Sequence, residues 1–252
     1  MTIPFDWDLS NRAALITSDM RGWTPYFAAA LAEAGADVVV AGSGKSDRSE
    51  AVDAVRSVGN RAVELDVDLT DAKDVDGMIF AAISELGRLD ILVNNARLEF
   101  GKSFIEVTDD EWDSVIAFNL KSMFLCCRAA GRSMLDQGYG RIVNIGSGLA
   151  ERGLWNSAAM CASQGAVRQL TASLGLEWAK HNIRVNGIGA GWITTDPKEA
   201  TDLEDLLVRY IPSRRRGHPN DLAGLLVYLA SEGCDFVTGQ TIYVDGGVMA
   251  HA

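Results

Sequence analysis

Short apolar runs alternate with amphipathic stretches along the whole chain. Ala13 to Thr17 is an apolar run, and Pro25 to Ala34 follows it as a helix with proline in its first turn. Asp37 to Ala41 (DVVVA) is β-branched and bounded by Gly35 and Gly42, which predicts a strand. The pattern then predicts a helix over 46–58, a strand over 62–65, a helix over 71–86 and a strand over 89–93. Thr108, with Glu111 three residues on, forms a capping-box signature that opens a long helix reaching about Asp136. A strand over 141–145, a helix over 157–180 and a strand over 183–188 come next. Helices over 203–210 and 219–230 and a last strand over 241–244 complete the series.

Strands separated throughout by helices predict a parallel sheet with helices on both faces. The run LDILV (residues 89–93), apolar apart from Asp90, suits a strand covered on both sides. No linker, repeat or low-complexity segment interrupts the alternation. The expectation is a single doubly wound α/β domain over 1–252, with ligands at the carboxyl ends of its seven strands.

Composition narrows the classes. A hydrophobic share of 48% and only five prolines exclude a disordered chain. No apolar run of about 18 residues exists, so no membrane-spanning helix is expected. Met1 to Ser10 carries two aspartates and no basic residue, which does not suit a secretory signal. The net charge of −11 opposes a nucleic-acid partner. A small molecule is the expected ligand, with neither nucleic acid nor membrane as partner. Cys126, Cys127, Cys161 and Cys234 form no CxxC pair, and the first three sit in apolar company. Buried thiols in a reducing, cytoplasmic compartment are the expectation. No His, Cys, Asp or Glu cluster has metal-ligand spacing, so no metal is expected.

Several segments stand in a telling order: Ala14-Leu15-Ile16-Thr17, Asp68-Leu69-Thr70-Asp71, Leu92-Val93-Asn94-Asn95-Ala96, and Asn119 in FNLKSMF. Arg141 to Ser147 (RIVNIGS), Ile183-Arg184-Val185-Asn186, Thr195, Thr238-Gly239-Gln240 and Val244-Asp245-Gly246-Gly247 follow. In this order and spacing the chain resembles the short-chain dehydrogenase/reductase family over nearly its whole length. The resemblance implies a Rossmann-type fold that binds NAD(H) or NADP(H) and moves hydride between the nicotinamide and a carbonyl or alcohol. It implies a tyrosine as proton donor, a nearby lysine, a serine that orients the substrate oxygen and an asparagine that holds a relay water. Ser147 and Asn119 match the serine and the asparagine. Thr17, Gly22, Asp68, Asn94, Ile193 and Thr195 match cofactor-binding positions. Arg21 and Lys45 would meet a 2′-phosphate, which leans the cofactor toward NADP(H). The family also implies a homotetramer or homodimer built on the long helices, where Ala158, Ala159, Ala162 and Ala166 offer a small apolar face.

Against the family pattern, Met160 stands at the tyrosine position and Gln164 at the lysine position. All five tyrosines lie outside residues 148–180. Methionine has no ionisable proton and glutamine carries no charge. The acid–base work at stake contributes roughly 10²–10⁴-fold in rate. The loop Thr17-Ser18-Asp19-Met20-Arg21-Gly22-Trp23-Thr24 keeps only the middle one of the family's three glycines. Dinucleotide binding, including its loss, therefore stays open. Arg97, Glu151, Arg152, Trp155 and Trp192 fall on the segments expected to wall a substrate pocket, the tryptophans suiting an apolar or ring-shaped ligand. Asp19 is a candidate partner for Arg97, and Glu151 or Arg152 a replacement acid, base or anion anchor. His218 is placed to overhang the pocket and His181 to end its helix. Three functions remain: a small-molecule enzyme with an altered site, a non-catalytic binding or regulatory protein, and an NADP(H)-dependent carbonyl reductase with relocated groups.

Overall fold

The central aliphatic runs pair side by side because each offers buried side chains to both faces of one sheet. The computed structural model describes residues 7–18, 21–44, 47–201 and 205–250. Among them the strands are β1 (Ala13–Thr17), β2 (Asp37–Gly42), β3 (Ala62–Asp66), β4 (Ile91–Asn94), β5 (Gly140–Ser147), β6 (Ile183–Ala190) and β7 (Thr241–Val244). They form one sheet in the order β3-β2-β1-β4-β5-β6-β7. Every pairing is parallel.

The helices are α1 (Thr24–Glu33), α2 (Arg48–Ser57), α3 (Ala72–Leu86), α4 (Asp109–Ile116), α5 (Ser122–Gln137), α6 (Ala158–Trp178), α7 (Pro197–Thr201), α8 (Leu206–Tyr210) and α9 (Pro219–Ala230). Strand alternation divides the core between the two faces. Val38 and Val40 of β2 pack with Phe27, Leu31, Val52 and Leu226 from α1, α2 and α9. Val39 and Ala41 pack on the opposite face with Met78, Leu125 and Met134 from α3 and α5. Burying one such aliphatic side chain stabilises the fold by about 1.5–3 kcal/mol. Among the described residues no helix is long and apolar enough to cross a membrane.

Two elements differ from expectation. The helix that opens at Thr108 has its capping box, but Ala117–Lys121 form a π turn between α4 and α5. Asn119 lies in that wide turn and uses its side-chain amide on the backbone of Leu98, accepting from its N–H at 2.7 Å and donating to its C=O at 3.0 Å. Such bulges concentrate at functional sites. Strand β5 also runs past Ile145 to Ser147, where it pairs with Ala190 at the end of β6. The chain winds from β1 through β2 to β3 on one side and crosses back to β4 on the other, which opens a crevice at the carboxyl ends of β1 and β4.

Candidate functional site

A cavity of about 690 Å³ opens at the carboxyl ends of β5 and β6. Ser147 ends β5, Ala190 ends β6, and Met160 from the first turn of α6 faces them across the cavity. Trp192, Ile193, Thr195, Tyr210 and Met249 close it from the segments beyond β6 and β7, and Trp23 and Arg21 enter from the β1–α1 loop.

The family-matched catalytic positions converge with unexpected chemistry. The Ser147 hydroxyl oxygen accepts from the Leu149 N–H at 3.3 Å. Asn119 is buried, and its Nδ2 donates to the Met160 sulfur at 3.3 Å. Met160 is 1% exposed and Gln164 is 2% exposed. The Gln164 Oε1 is buried with no hydrogen-bond partner in the protein, beside Gly146. Met160 thus offers the cavity a thioether, and Gln164 lies behind it.

The β1–α1 loop is fastened from within. The Thr17 hydroxyl oxygen accepts from the N–H groups of Asn95 and Ala96 at 2.9 and 3.0 Å, which ties the end of β1 to the end of β4. Gly22 has φ +73°, a conformation that favours glycine, and a Cβ there would stand 3.8 Å from Thr195. The Arg21 guanidinium stacks 4.0 Å over the Trp23 ring and donates to the carbonyl and the Oδ1 of Asn95. Asn94 is buried and donates to the Asn144 Oδ1 at 2.8 Å, and Asn144 donates to the Thr171 hydroxyl at 2.8 Å. Asp68 is exposed, and its Oδ1 accepts from the N–H and hydroxyl of Thr70. Ile193 bridges to Gly217.

A dinucleotide fold holds its pyrophosphate at the N–H groups that open this helix. In this chain the N–H of Thr24, the first residue of α1, donates to the Asp47 Oδ2 at 3.1 Å. The Ser18 hydroxyl donates to the other oxygen of the same carboxylate. A resident anion on these donors does not fit a pyrophosphate in the same place, because like charges repel. Asp19 and Lys45 lie outside the described residues, so the Asp19–Arg97 pair and the Lys45 contact do too.

Three cations reach the cavity. Arg97 donates to the Glu99 Oε1 at 2.9 Å and to the Gly146 carbonyl at 3.4 Å, and its guanidinium lies 5.8 Å from the Trp23 ring centre. Arg152 donates to the Val248 carbonyl at 2.8 Å and to the Tyr210 hydroxyl oxygen at 2.6 Å. Tyr210 meets Trp192 edge-on, ring centres 5.9 Å apart.

Three expected site residues stand elsewhere. Glu151 is held away from the cavity by Arg168 at 2.7 Å and by the Tyr243 hydroxyl at 3.1 Å. Burial, then the Glu151 charge, pushes the Tyr243 phenol up to about 12. Trp155 is 92% exposed and does not line the cavity, where its neighbour Leu154 does. His218 caps α9, its Nδ1 accepting from the Asn220 N–H at 3.2 Å, and its ring packs 4.7 Å from Tyr26. His181 does close the short turn that follows α6. Sequence reasoning gave no role to Trp23, Tyr210, Asp47 or Asp245. Tyr210 and Asp245 reach the cavity from segments far along the chain; Asp245 stands in the matched Val244–Gly247 segment, and no local pattern marks Tyr210. Among the described residues no His, Cys, Asp or Glu group could hold a metal ion.

Known proteins place this architecture. A family model described as Enoyl-(Acyl carrier protein) reductase matches residues 21–249. The 2-dehydro-3-deoxy-D-gluconate 5-dehydrogenase of Dickeya dadantii (strain 3937) is 37% identical over 249 residues, 97% of this chain and 98% of that protein. Among solved structures, a short-chain type dehydrogenase/reductase from Mycobacterium marinum superposes with a TM-score of 0.89 at 33% identity, covering 100% of both chains. A gluconate 5-dehydrogenase from Burkholderia cenocepacia J2315, in complex with NADP and tartrate, superposes with a TM-score of 0.88 at 33% identity, covering 98% of both. With its sheet order and these likenesses running along almost the whole chain, it belongs to the short-chain dehydrogenase/reductase family.

Proposed function

We propose that this chain binds a small hydroxy- or keto-carboxylate in its arginine-lined cavity and does not run the tyrosine–lysine hydride step implied by its family. One observation carries the reading. The position that the family pattern gives to a phenol holds the Met160 thioether, 1% exposed and engaged by the Asn119 amide. A thioether has no proton to exchange, and the neutral Gln164 behind it supplies no cation.

The ligand class follows from Arg21, Arg97 and Arg152 beside the aromatic faces of Trp23 and Trp192. A guanidinium pairs with a carboxylate through two parallel hydrogen bonds, and the aromatic walls cover a carbon skeleton. The relatives' names fit this class, since they act on gluconate derivatives and one carries tartrate. The Ser147 hydroxyl stands on the cavity wall, where it can donate to a ligand oxygen.

Calorimetric titration with gluconate and with tartrate tests the reading. The expected result is saturable binding that weakens at least about tenfold, or about 1.4 kcal/mol, in Arg97→Ala. No consumption of NADH or NADPH is expected when the matching keto acid is added. Steady oxidation of gluconate with NADP by the wild-type protein would overturn it.

A second reading, a proton-transfer enzyme, rests on Tyr210. Its phenol lines the cavity and accepts from Arg152, which holds an ionisable side chain beside a bound ligand. If that role is real, Tyr210→Phe abolishes a discovered turnover and keeps ligand affinity.

A further inference from the structure

We infer that this chain carries its own occupant for the dinucleotide phosphate place: the Asp47 carboxylate sits on the donors that open α1 and excludes a pyrophosphate from them. Both carboxylate oxygens are used there, one by the Ser18 hydroxyl and one by the Thr24 N–H at 3.1 Å. Ser18 and Thr24 stand where the family loop has its first and third glycines. The two departures from glycine therefore flank the carboxylate, and one of them supplies the hydroxyl that binds it.

The position of Asp47 is built, because its neighbour is pinned. Arg48 is 8% exposed, and its guanidinium donates to the carbonyls of Gly42, Leu65 and Gly44 and to the Asp66 carboxylate. That network anchors the first turn of α2 to the ends of β2 and β3. The end of β2 is also close against the loop, since a Cβ on Gly42 would stand 2.8 Å from the Ser18 carbonyl. Arg21 reaches Asn95 and stacks on Trp23, on the wall of the large cavity.

The exclusion is electrostatic and steric at once. A pyrophosphate would have to displace the carboxylate from a helix N-terminus that favours anions. It would then sit beside the displaced charge. Removing the carboxylate frees both donors without touching the large cavity.

The experiment is a titration of the whole protein with NADPH, and separately with inorganic pyrophosphate, followed by calorimetry. Wild type, Asp47→Ala and Asp47→Asn are compared, with circular dichroism to establish that each is folded. Wild type is expected to show no saturation below millimolar NADPH. Either variant is expected to bind NADPH at least tenfold more tightly. Pyrophosphate is expected to gain affinity alongside it, which locates the gain at the phosphate place. Micromolar NADPH binding by wild type overturns the inference, and so does a folded variant that binds no more tightly than wild type. If Asp47→Ala fails to fold, Asp47→Asn decides alone, since it keeps the side-chain volume and loses the charge. The readout is dinucleotide binding, so failure here leaves the carboxylate-ligand reading standing, and failure of the gluconate titration leaves this inference standing.

Discussion

The Nδ2 of Asn119 donates to the sulfur of Met160 across 3.3 Å, joining the π turn to the first turn of α6. Met160 is fully buried and packs in a small cluster with Val115 and Ala159, against Phe100, Trp112 and Leu149. The thioether at this position is thus a structural member as well as a cavity wall. Met160→Ala is expected to cost about 2–5 kcal/mol, and the volume-conserving Met160→Leu less than about 1.5 kcal/mol. Urea unfolding of the two variants checks this. Near-equal losses would show that the site does not collapse as a packed cavity would.

Gln164 makes the opposite prediction. Its Oε1 is buried without a hydrogen-bond partner in the protein, and such a group costs about 1–3 kcal/mol. Replacing it by an apolar side chain of similar length removes that cost. Gln164→Met is expected to melt at or above the wild-type temperature. A melting point several degrees lower would mean that the amide has a water or ligand partner on which the fold depends.

A buried polar relay runs from Asn94 in β4 through Asn144 in β5 to Thr171 in α6, with 2.8 Å at each step. All three residues are at most 2% exposed. Asn144→Ala would leave the Asn94 amide only the Cys127 sulfur as acceptor, Thr171 without its donor, and a void at the sheet. The expected loss is about 1–3 kcal/mol by chemical denaturation. Hydrogen exchange should rise first in β4 and β5. An unchanged midpoint would show that the relay contributes nothing net.

Much of this was legible in the chain, and the reasons for the rest are physical. The strands β1, β2 and β4 are short apolar runs, so local pattern located them. The Thr108 capping box is a local signal too, and it is present. The π turn at Asn119 has no signature in hydropathy, because it changes one hydrogen-bond ladder and leaves the side-chain pattern intact. Family order placed Ser147, Met160, Trp192 and Arg97 on one cavity. It misplaced Glu151, since a charge on a loop turns toward whichever partner packs nearest, here Arg168 and Tyr243, and it misplaced Trp155, which stands in solvent. The Asp47 contact joins residues 23 and 29 positions apart, and only the folded loop reveals it.

The Arg215–Asp221 pair governs a pH-dependent contribution at the start of α9. The hydrogen-bonded Arg215 guanidinium is the main cause that holds the Asp221 carboxyl below its ordinary 3.8, followed among the lowering causes by the His218 N–H. A carboxylate depressed in the folded state adds stability above its unfolded value. That stability fades as pH falls through the lower folded value. Both side chains are about a third to a half exposed, which limits the contribution to under about 1 kcal/mol. The melting difference between wild type and Asp221→Asn should be largest near neutrality and close below pH 3.8. A difference that persists or grows in acid would put the effect of Asp221 in backbone capping rather than in charge.

Thiol chemistry reports directly on the core. Cys126, Cys127 and Cys234 are buried, while Cys161 is partly exposed and lies against the Arg152 carbonyl at 3.6 Å. Burial pushes the Cys126 and Cys234 thiols up, and takes Cys127 up to about 12. Only the thiolate reacts with an alkylating reagent, so these three stay protonated and shielded at pH 8. Iodoacetamide on the native protein is expected to label Cys161 alone, and all four after denaturation. Because Arg152 lines the cavity, a carboxylate ligand that engages it should slow the Cys161 reaction and leave the other three unchanged. Fast native labelling of Cys126 or Cys127 would mean that the face packed by α5 opens far more readily than its burial implies.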